Sequence, residues 1–283
     1  MNVADAMTPR AEVVAVSVPG TREDVLTYLQ DRQFSSVPVV KETDGGEQYR
    51  GLVSRADLID EPDEDQLALL MRDVPTVTGD QGLAAVATLM VDEGARRIPV
   101  VESGSLQGII TVTDIVRAIA DGEVDGDESV GAVATSDVNT TWGGTPLVVA
   151  ERELGFANVP YAVVLDDDGT MDGILTEVDV LDVARVVEGE ETTGSSMAAD
   201  DDDWKWESIN RTGSTYLPTR NVKLPAEPVS QFMTGEVVTV TRRRTCQEAA
   251  RRMLSNDIEQ IPLVSGDELA GIVQDVDLLR AIV

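Results

Sequence analysis

The sequence predicts an α+β fold in which one strand-helix-strand-strand-helix unit is repeated four times. A line of the form glycine-apolar-apolar-polar-x-x-aspartate recurs as GLVSRAD (51–57), GIITVTD (108–114), GILTEVD (173–179) and GIVQDVD (271–277). Before each line stands an apolar stretch built around proline: SSVPVV (35–40), RRIPVV (96–101), ANVPYAVV (157–164) and EQIPLV (259–264). Most repeats also carry apolar residues at helical spacing ahead of the proline stretch. A sheet this small buries its apolar face only against a neighbour, so the repeats are expected to pack together.

The spacing between proline and aspartate indicates that the repeats come in pairs. It is 19 positions from Pro38 to Asp57 and from Pro160 to Asp179, but 15 in the second and fourth repeats. The alternation predicts two modules of two repeats each, with clefts between paired sheets. The predicted boundaries are 1–62, 63–123 and 124–188 for the first three repeats, 189–227 for an insertion and 228–283 for the fourth repeat.

The first helix of each repeat is predicted from its cap and its apolar face. Thr21 with Asp24, and Thr245 with Glu248, have the spacing of a capping box. The apolar faces are Val25, Leu26 and Leu29 in the first repeat and Val86, Leu89 and Met90 in the second. A second helix follows each aspartate line and completes the unit.

The insertion at 189–227 differs in composition from the repeats. It begins with the acidic, small-residue stretch EGEETTGSSMAADDDD, which is typical of a solvated linker. Trp204, Trp206 and Tyr216 follow in a chain that contains only ten aromatic residues, counted as three Trp, four Tyr and three Phe. Two interpretations stay open. Either the aromatics fix the linker to a module, or the segment closes over a ligand or partner.

The charge of the chain restricts its partners. The net charge is −30 at 283 residues, with a hydrophobic content of 42% that is typical of a globular protein. Such a surface repels phosphate backbones, so nucleic acid is not expected as a partner. The acids are spread along the chain rather than grouped at ligand spacing, which favours a salt-adapted (halophilic) surface over a cation-binding one.

Several residue types needed for catalysis are missing. The chain has no histidine and a single cysteine, Cys246. This excludes Ser-His-Asp and Cys-His catalysis, histidine metal sites and disulfides within the chain, so we expect no enzyme activity and no metal site. The start MNVADAMTPR lacks the pattern of a signal peptide, and no apolar run approaches the roughly 20 residues of a membrane span. We therefore expect a cytoplasmic protein without membrane contact.

The aspartate line has a structural and a functional interpretation. A hydroxyl followed three residues later by an acid is typical of a helix N-cap. The fourth repeat, however, has Gln274 in the cap position and still keeps Asp277. A carboxylate also offers two acceptor oxygens to the paired hydroxyls of a ribose, and a neighbouring hydroxyl and helix N-terminus suit a phosphate. No nucleophile with a base accompanies it, so the pattern indicates binding rather than chemistry.

The four repeats together resemble tandem cystathionine-β-synthase (CBS) domains, which pair into Bateman modules. The resemblance is to four-repeat proteins of the archaeal, haloarchaeal-like type, and it covers the chain apart from the insertion. It implies a disc-like assembly of two modules, within one chain or as a homodimer. It also implies a regulatory sensor with no required cofactor. Such a sensor binds AMP, ADP, ATP or S-adenosylmethionine and regulates another protein, which the sequence does not name.

Carried over residue by residue, the resemblance gives each repeat its own candidate ligand-binding residues. The second repeat has the fullest set, with Thr111, Thr113 and Asp114 and with Arg96 and Arg97 before the proline strand. The others are Ser54 and Asp57 in the first repeat, Thr176 and Asp179 in the third, and Asp277 in the fourth. Ser35 and Ser36 take the arginine positions in the first repeat, where Arg55 is a substitute, and Gln260 takes one in the fourth.

Two other functions remain open at this point. The repeats are also compatible with an interaction scaffold whose clefts stay empty. The acidic surface is compatible with a sensor of divalent cations such as Mg²⁺.

Overall fold

The structure is a computed structural model that describes residues 1–31, 36–44, 46–54, 57–58, 61, 64–187, 207–209, 221–266 and 268–283. Trp204, Trp206, Tyr216, Ser35 and Arg55 lie outside the described residues, so the two interpretations of the insertion stay open. The predicted α+β tandem-repeat fold is confirmed. The chain forms two compact units, the first of Met1–Ala134, Val240–Ile261 and Val273–Val283, and the second of Thr135–Thr239 and Pro262–Ile272.

The helices and strands follow the predicted order, with an isolated bridge residue, Val77 or Val240, in place of the first strand in the second and fourth repeats. The first two repeats contain α1 (Val3–Ala6), β1 (Thr8–Pro9), β2 (Val16–Ser17), α2 (Arg22–Asp31), β3 (Ser36–Thr43), β4 (Gly46–Ser54), α3 (Leu67–Leu70), α4 (Leu83–Glu93), β5 (Arg97–Glu102), β6 (Ser105–Thr111), α5 (Val112–Asp121) and α6 (Val130–Val133). A helical segment at Asp57 and Leu58 follows β4. No helix among the described residues combines the length and the apolar character that a membrane crossing requires.

The third repeat has all five elements, and the fourth has the first helix, two paired strands and the second helix. They contain β7 (Thr140–Trp142), α7 (Leu147–Ala157), β8 (Tyr161–Leu165), β9 (Met171–Thr176), α8 (Glu177–Val183), then β10 (Arg185–Val187), β11 (Glu207–Ile209) and β12 (Asn221–Leu224), and finally α9 (Cys246–Asn256), β13 (Gln260–Ser265), β14 (Glu268–Gln274) and α10 (Asp275–Leu278). Short 3₁₀ turns occur at Val229–Gln231 and Leu279–Ile282. Strands β10, β12 and β11 form a small antiparallel sheet of their own in the second unit.

The predicted helix caps form. Thr245 caps α9, and its hydroxyl accepts the Glu248 N–H at 3.2 Å while Glu248 accepts the Thr245 N–H at 3.3 Å. The Thr21 N–H donates to Asp24 Oδ2 at 2.8 Å ahead of α2. Of the predicted apolar faces, Val25, Val86 and Met90 are fully buried.

Paired repeats exchange short backbone segments. In the first unit, Thr8 at the start of the first repeat pairs with Ile109 of β6, and Arg72 at the start of the second repeat pairs with Leu52 of β4. The second unit repeats this arrangement, because Thr135 pairs with Ile272 and Thr234 with Ile174. We call Thr8, Arg72, Thr135 and Thr234 the exchanged residues. Each lies opposite the residue after the glycine of the recurring line, and the exchange agrees with the predicted pairing of repeats.

The exchange explains the glycine of the recurring line. A Cβ atom on Gly108 would overlap the carbonyl oxygen of Thr8, and one on Gly51 would lie 2.6 Å from the carbonyl oxygen of Arg72. On Gly173 it would lie 3.0 Å from the carbonyl oxygen of Thr234. The strand register also shifts next to Gly51, Gly108 and Gly173, as at a β-bulge. Glycine is therefore needed where the backbone of the paired repeat approaches closely.

The core of the first unit includes helices from two repeats. Helix α9 packs against α5, and Arg251 Nε donates to the carbonyl oxygen of Ala120 at the end of α5 at 2.7 Å. In the first repeat, Val25, Val37 and Leu58 belong to an apolar cluster that also includes Leu67 from α3. The helices of the fourth repeat thus contribute to the first unit.

The second unit has two apolar clusters of its own. One lies between α7 and its sheet and includes Leu147, Leu154 and Leu175. The other joins Tyr161 and Ile174 to Ile272, on the strand that pairs with Thr135. Burial of these side chains, at about 25 cal/mol per Å² of apolar area, stabilises the third repeat against its partner.

Candidate functional site

The four aspartates of the recurring line all cap a helix. In each case Oδ2 accepts the backbone N–H of the residue three positions earlier. The N···Oδ2 distances are 2.8 Å for Ser54–Asp57, 2.9 Å for Thr111–Asp114, 2.7 Å for Thr176–Asp179 and 2.9 Å for Gln274–Asp277. The hydroxyl groups of Ser54, Thr111 and Thr176 donate to the same oxygen at 2.6, 2.8 and 2.7 Å. The cap thus takes up Oδ2 in every repeat and leaves Oδ1 for a second role.

The second repeat brings most of its predicted site residues together. Thr111 ends β6, and Arg97 lies directly opposite it on β5. Directly opposed residues on antiparallel strands have Cβ atoms about 4.5–5.5 Å apart, so the Arg97 side chain begins beside the Thr111 hydroxyl. Asp114 is buried, with 8% of its surface exposed, whereas Thr113 is exposed.

Oδ1 of Asp114 contacts a cation that the sequence analysis did not single out. Arg117 Nη1 donates to it at 3.2 Å from the next turn of α5. The i,i+3 spacing is a recognised position for helical ion pairs, so the sequence contained a signal for it. The side chain of Arg117 is 56% exposed, which leaves it accessible to an anion from solvent.

Arg96 is placed differently from its predicted role. Its Nη1 and Nη2 donate to Oδ1 and Oδ2 of Asp275 at 3.1 and 2.6 Å, and Nη2 also lies 3.2 Å from Oε2 of Glu259. Burial by itself would lower the Arg96 pKa, but the hydrogen bond to Asp275 and the charges of Asp275 and Glu259 raise it overall. The guanidinium is therefore held at the fourth repeat rather than at Asp114.

In the first repeat, the cation that contacts the aspartate comes from the paired second repeat. Arg72, an exchanged residue, donates from Nε to Oδ1 of Asp57 at 3.0 Å. No local sequence pattern indicates this contact, since it depends on the pairing of Arg72 with Leu52. Ser36 lies opposite Ser54 on the neighbouring strand and is 7% exposed, and among the described residues its Oγ has no hydrogen-bond partner.

The third repeat has no arginine in the two positions before its proline. Tyr161, which is buried, lies opposite Thr176, and Asn158 takes the left-handed backbone conformation that ends α7. Among the described residues, no cluster of three or more Asp, Glu or Cys side chains is placed to hold a metal ion.

In the fourth repeat, the surroundings of Asp277 disfavour its charged form. Burial raises the pKa of Asp277, and the negative charge of Asp275 raises it further, against the Gln274 hydrogen bond and the charge of Arg280, which lower it. Gln274 donates its backbone N–H to Oδ2 of Asp277 but has no hydroxyl to donate to the same oxygen.

The raised pKa of Asp277 predicts a pH-dependent effect of Asp277→Asn. A carboxyl group whose pKa is raised on folding favours the folded state when protonated, and this contribution is lost as the pH rises through the folded-state pKa. Urea unfolding should show Asp277→Asn gaining stability relative to the wild type as the pH rises from about 3.5 to about 7. A relative stability that does not change across this range would contradict the assignment.

These features define a tandem-repeat α+β protein whose repeats are joined in exchanged pairs. The chain belongs to the CBS-domain family, since the model of that domain matches residues 3–64, 67–121 and 229–283. CBS domains are generally regulatory and non-catalytic. The third repeat shares the element order of the matched segments.

Similar proteins support this assignment. An uncharacterized protein of Methanocaldococcus jannaschii is 27% identical over 281 residues, which is 99% of this chain and 61% of that protein. The chain thus spans about three fifths of the length of the first curated relatives it matches. The crystal structure of an uncharacterized conserved protein from Pyrococcus horikoshii matches over the full length of both chains, with 28% identity and a TM-score of 0.70. A second M. jannaschii structure, described as an archaeal homologue of γ-AMPK, has the same fold at 19% identity and a TM-score of 0.65, over 99% of both chains.

Proposed function

We propose that the protein is a non-catalytic regulatory sensor that binds an adenosine-containing ligand, AMP, ADP, ATP or S-adenosylmethionine, at the aspartates of its paired repeats. The observation that carries the proposal is the repeated placement of these aspartates. Each has one oxygen in a helix cap, and in the second repeat Arg117 contacts the other oxygen of Asp114 while Arg97 lies opposite Thr111 on the neighbouring strand. A carboxylate with an oxygen beyond its cap can accept from a ribose hydroxyl, and two arginines suit a phosphate.

The second repeat remains the preferred site. Only there, among the described residues, does the recurring line combine a capped carboxylate with an arginine on the opposing strand. In the first repeat, Arg72 supplies the positive charge from the paired repeat, so this site ranks next. The fourth ranks last, because Gln274 replaces the hydroxyl of the other three lines and Gln260 takes an arginine position.

A scaffold with empty clefts is the second candidate. It is favoured by the caps themselves, because a helix cap accounts for Oδ2 of all four aspartates without any ligand. Calorimetric titration with adenosine, AMP, ADP, ATP and S-adenosylmethionine separates the two functions. The sensor requires saturable binding of at least one of these ligands, and a complete absence of binding in the presence and absence of Mg²⁺ would favour the scaffold.

The net charge of −30 predicts that salt stabilises the fold. Like-charge repulsion opposes the compact state, and ions screen it over a Debye length that falls to about 3 Å at 1 M. The melting temperature should rise steadily from 0.05 to 2 M KCl. A flat or falling melting temperature would argue against a salt-adapted surface.

A further inference from the structure

Arg96 connects the starts of two helices that carry candidate ligand-binding aspartates. Its carbonyl oxygen accepts the N–H of Val112, the first residue of α5, at 2.9 Å. This bond fixes the Arg96 backbone next to Thr111 and close to Asp114. The guanidinium instead lies on Asp275, the first residue of α10, two positions before Asp277. One cation is thus anchored at the second repeat and neutralises an acid of the fourth.

Asp275 depends strongly on this cation. It is one of the few charged residues that are buried, at 5% exposure, and its carboxylate receives both terminal nitrogens of Arg96. Oδ1 also accepts the Val276 N–H at 2.7 Å. Glu259 is a weaker competitor, since its side chain is 62% exposed and shares only one nitrogen of Arg96. Moving Arg96 away would leave a buried carboxylate without its counter-ion, which is costly.

We propose that Asp275 is a specificity-determining residue that withholds Arg96 from the site at Asp114 and so limits the affinity of that site for phosphorylated ligands. The inference rests on the proposed function and adds to it a residue outside the recurring hydroxyl–aspartate pair. A phosphate at the start of α5 competes with Asp275 for Arg96. A ligand without phosphate has no use for the guanidinium and is indifferent to Asp275.

The test compares ATP and adenosine in the full chain, in the wild type, Asp275→Asn, Arg96→Ala and the double variant. Asp275→Asn keeps an oxygen for the Val276 N–H but removes the charge that holds Arg96. ATP affinity should rise at least about fivefold, because the guanidinium no longer has to leave a buried bidentate partner, while adenosine affinity stays the same. In the Arg96→Ala background, Asp275→Asn should have no effect on ATP affinity.

Three outcomes would overturn the inference: an unchanged ATP affinity in Asp275→Asn, an equal gain for adenosine, or a gain that persists without Arg96. If Asp275→Asn does not fold, Asp275→Ser replaces it, because a serine hydroxyl can still accept the Val276 N–H. That variant should raise ATP affinity through the same arginine, and no change would again overturn the inference. If adenosine binding depends on Asp114 but ATP affinity does not change in Asp275→Asn, only this inference is refuted. Absence of binding by all variants refutes the proposed function as well.

Discussion

Replacing Gly108 by alanine is expected to destabilise the first unit by about 3 kcal/mol. The new Cβ would overlap the carbonyl oxygen of Thr8 and lie 2.9 Å from Sδ of Met7. The methionine side chain can move, but the Thr8 oxygen belongs to the exchanged backbone. Relief therefore requires β1 to separate from β6, with loss of their pairing. The free energy of unfolding in urea measures this effect.

Gly82→Ala is the matched control for Gly108→Ala. A Cβ at Gly82 would have no atom within 4 Å, and the residue is the N-cap of α4. Its replacement should cost about 1 kcal/mol or less. Equal losses at Gly82 and Gly108 would show that the exchanged segment does not approach the recurring glycine as closely as described.

Arg96→Ala is the second substitution with a large expected effect. It leaves Asp275 buried without its counter-ion, and we expect a loss of about 2–3 kcal/mol in the free energy of unfolding. The expected loss lies below that for a fully buried pair because 43% of the Arg96 side chain is exposed. Thermal or urea unfolding at neutral pH provides the measurement.

An exposed ion pair supplies the control for Arg96→Ala. Arg244 pairs with Glu248 at 2.9 Å, with side-chain exposures of 51% and 39%, so Arg244→Ala should cost below about 1 kcal/mol. The double variant Arg96→Met, Asp275→Leu should recover much of the stability lost in Arg96→Ala, since it removes the uncompensated charge. If the double variant does not recover this stability, the loss in Arg96→Ala comes from packing of the arginine side chain and not from the charge.

The sequence predicted the features that depend on local periodicity. Spacing alone identified the four repeats, their element order and the 19/15 alternation that paired them. The capping box of Thr245 with Glu248 was predicted in the same way, because the bonding atoms lie three residues apart. Such patterns need no knowledge of the tertiary structure.

The features that the sequence left open join distant residues. Arg96 and Asp275 are 179 positions apart, and an aspartate is rarely buried, so nothing local indicates their contact. Arg72 reaches Asp57 only because a single backbone bridge places it beside Leu52. The packing of α9 on α5 has the same origin, since an amphipathic face does not specify which apolar face covers it.

Asp114 should bind a ligand in addition to capping its helix, and a second capping aspartate, Asp24, provides the comparison. Asp24 forms the same kind of cap at the start of α2, because its Oδ2 accepts the Thr21 N–H at 2.8 Å and the Thr21 hydroxyl at 3.2 Å. Unlike Asp114, Asp24 is exposed and lies outside the recurring line. The measurement is the calorimetric affinity for ATP of the wild type, Asp114→Asn and Asp24→Asn. We expect a loss of ATP affinity of about tenfold to hundredfold for Asp114→Asn and no change for Asp24→Asn. Equal ATP affinity in all three proteins would contradict this expectation and leave Asp114 as a helix cap alone.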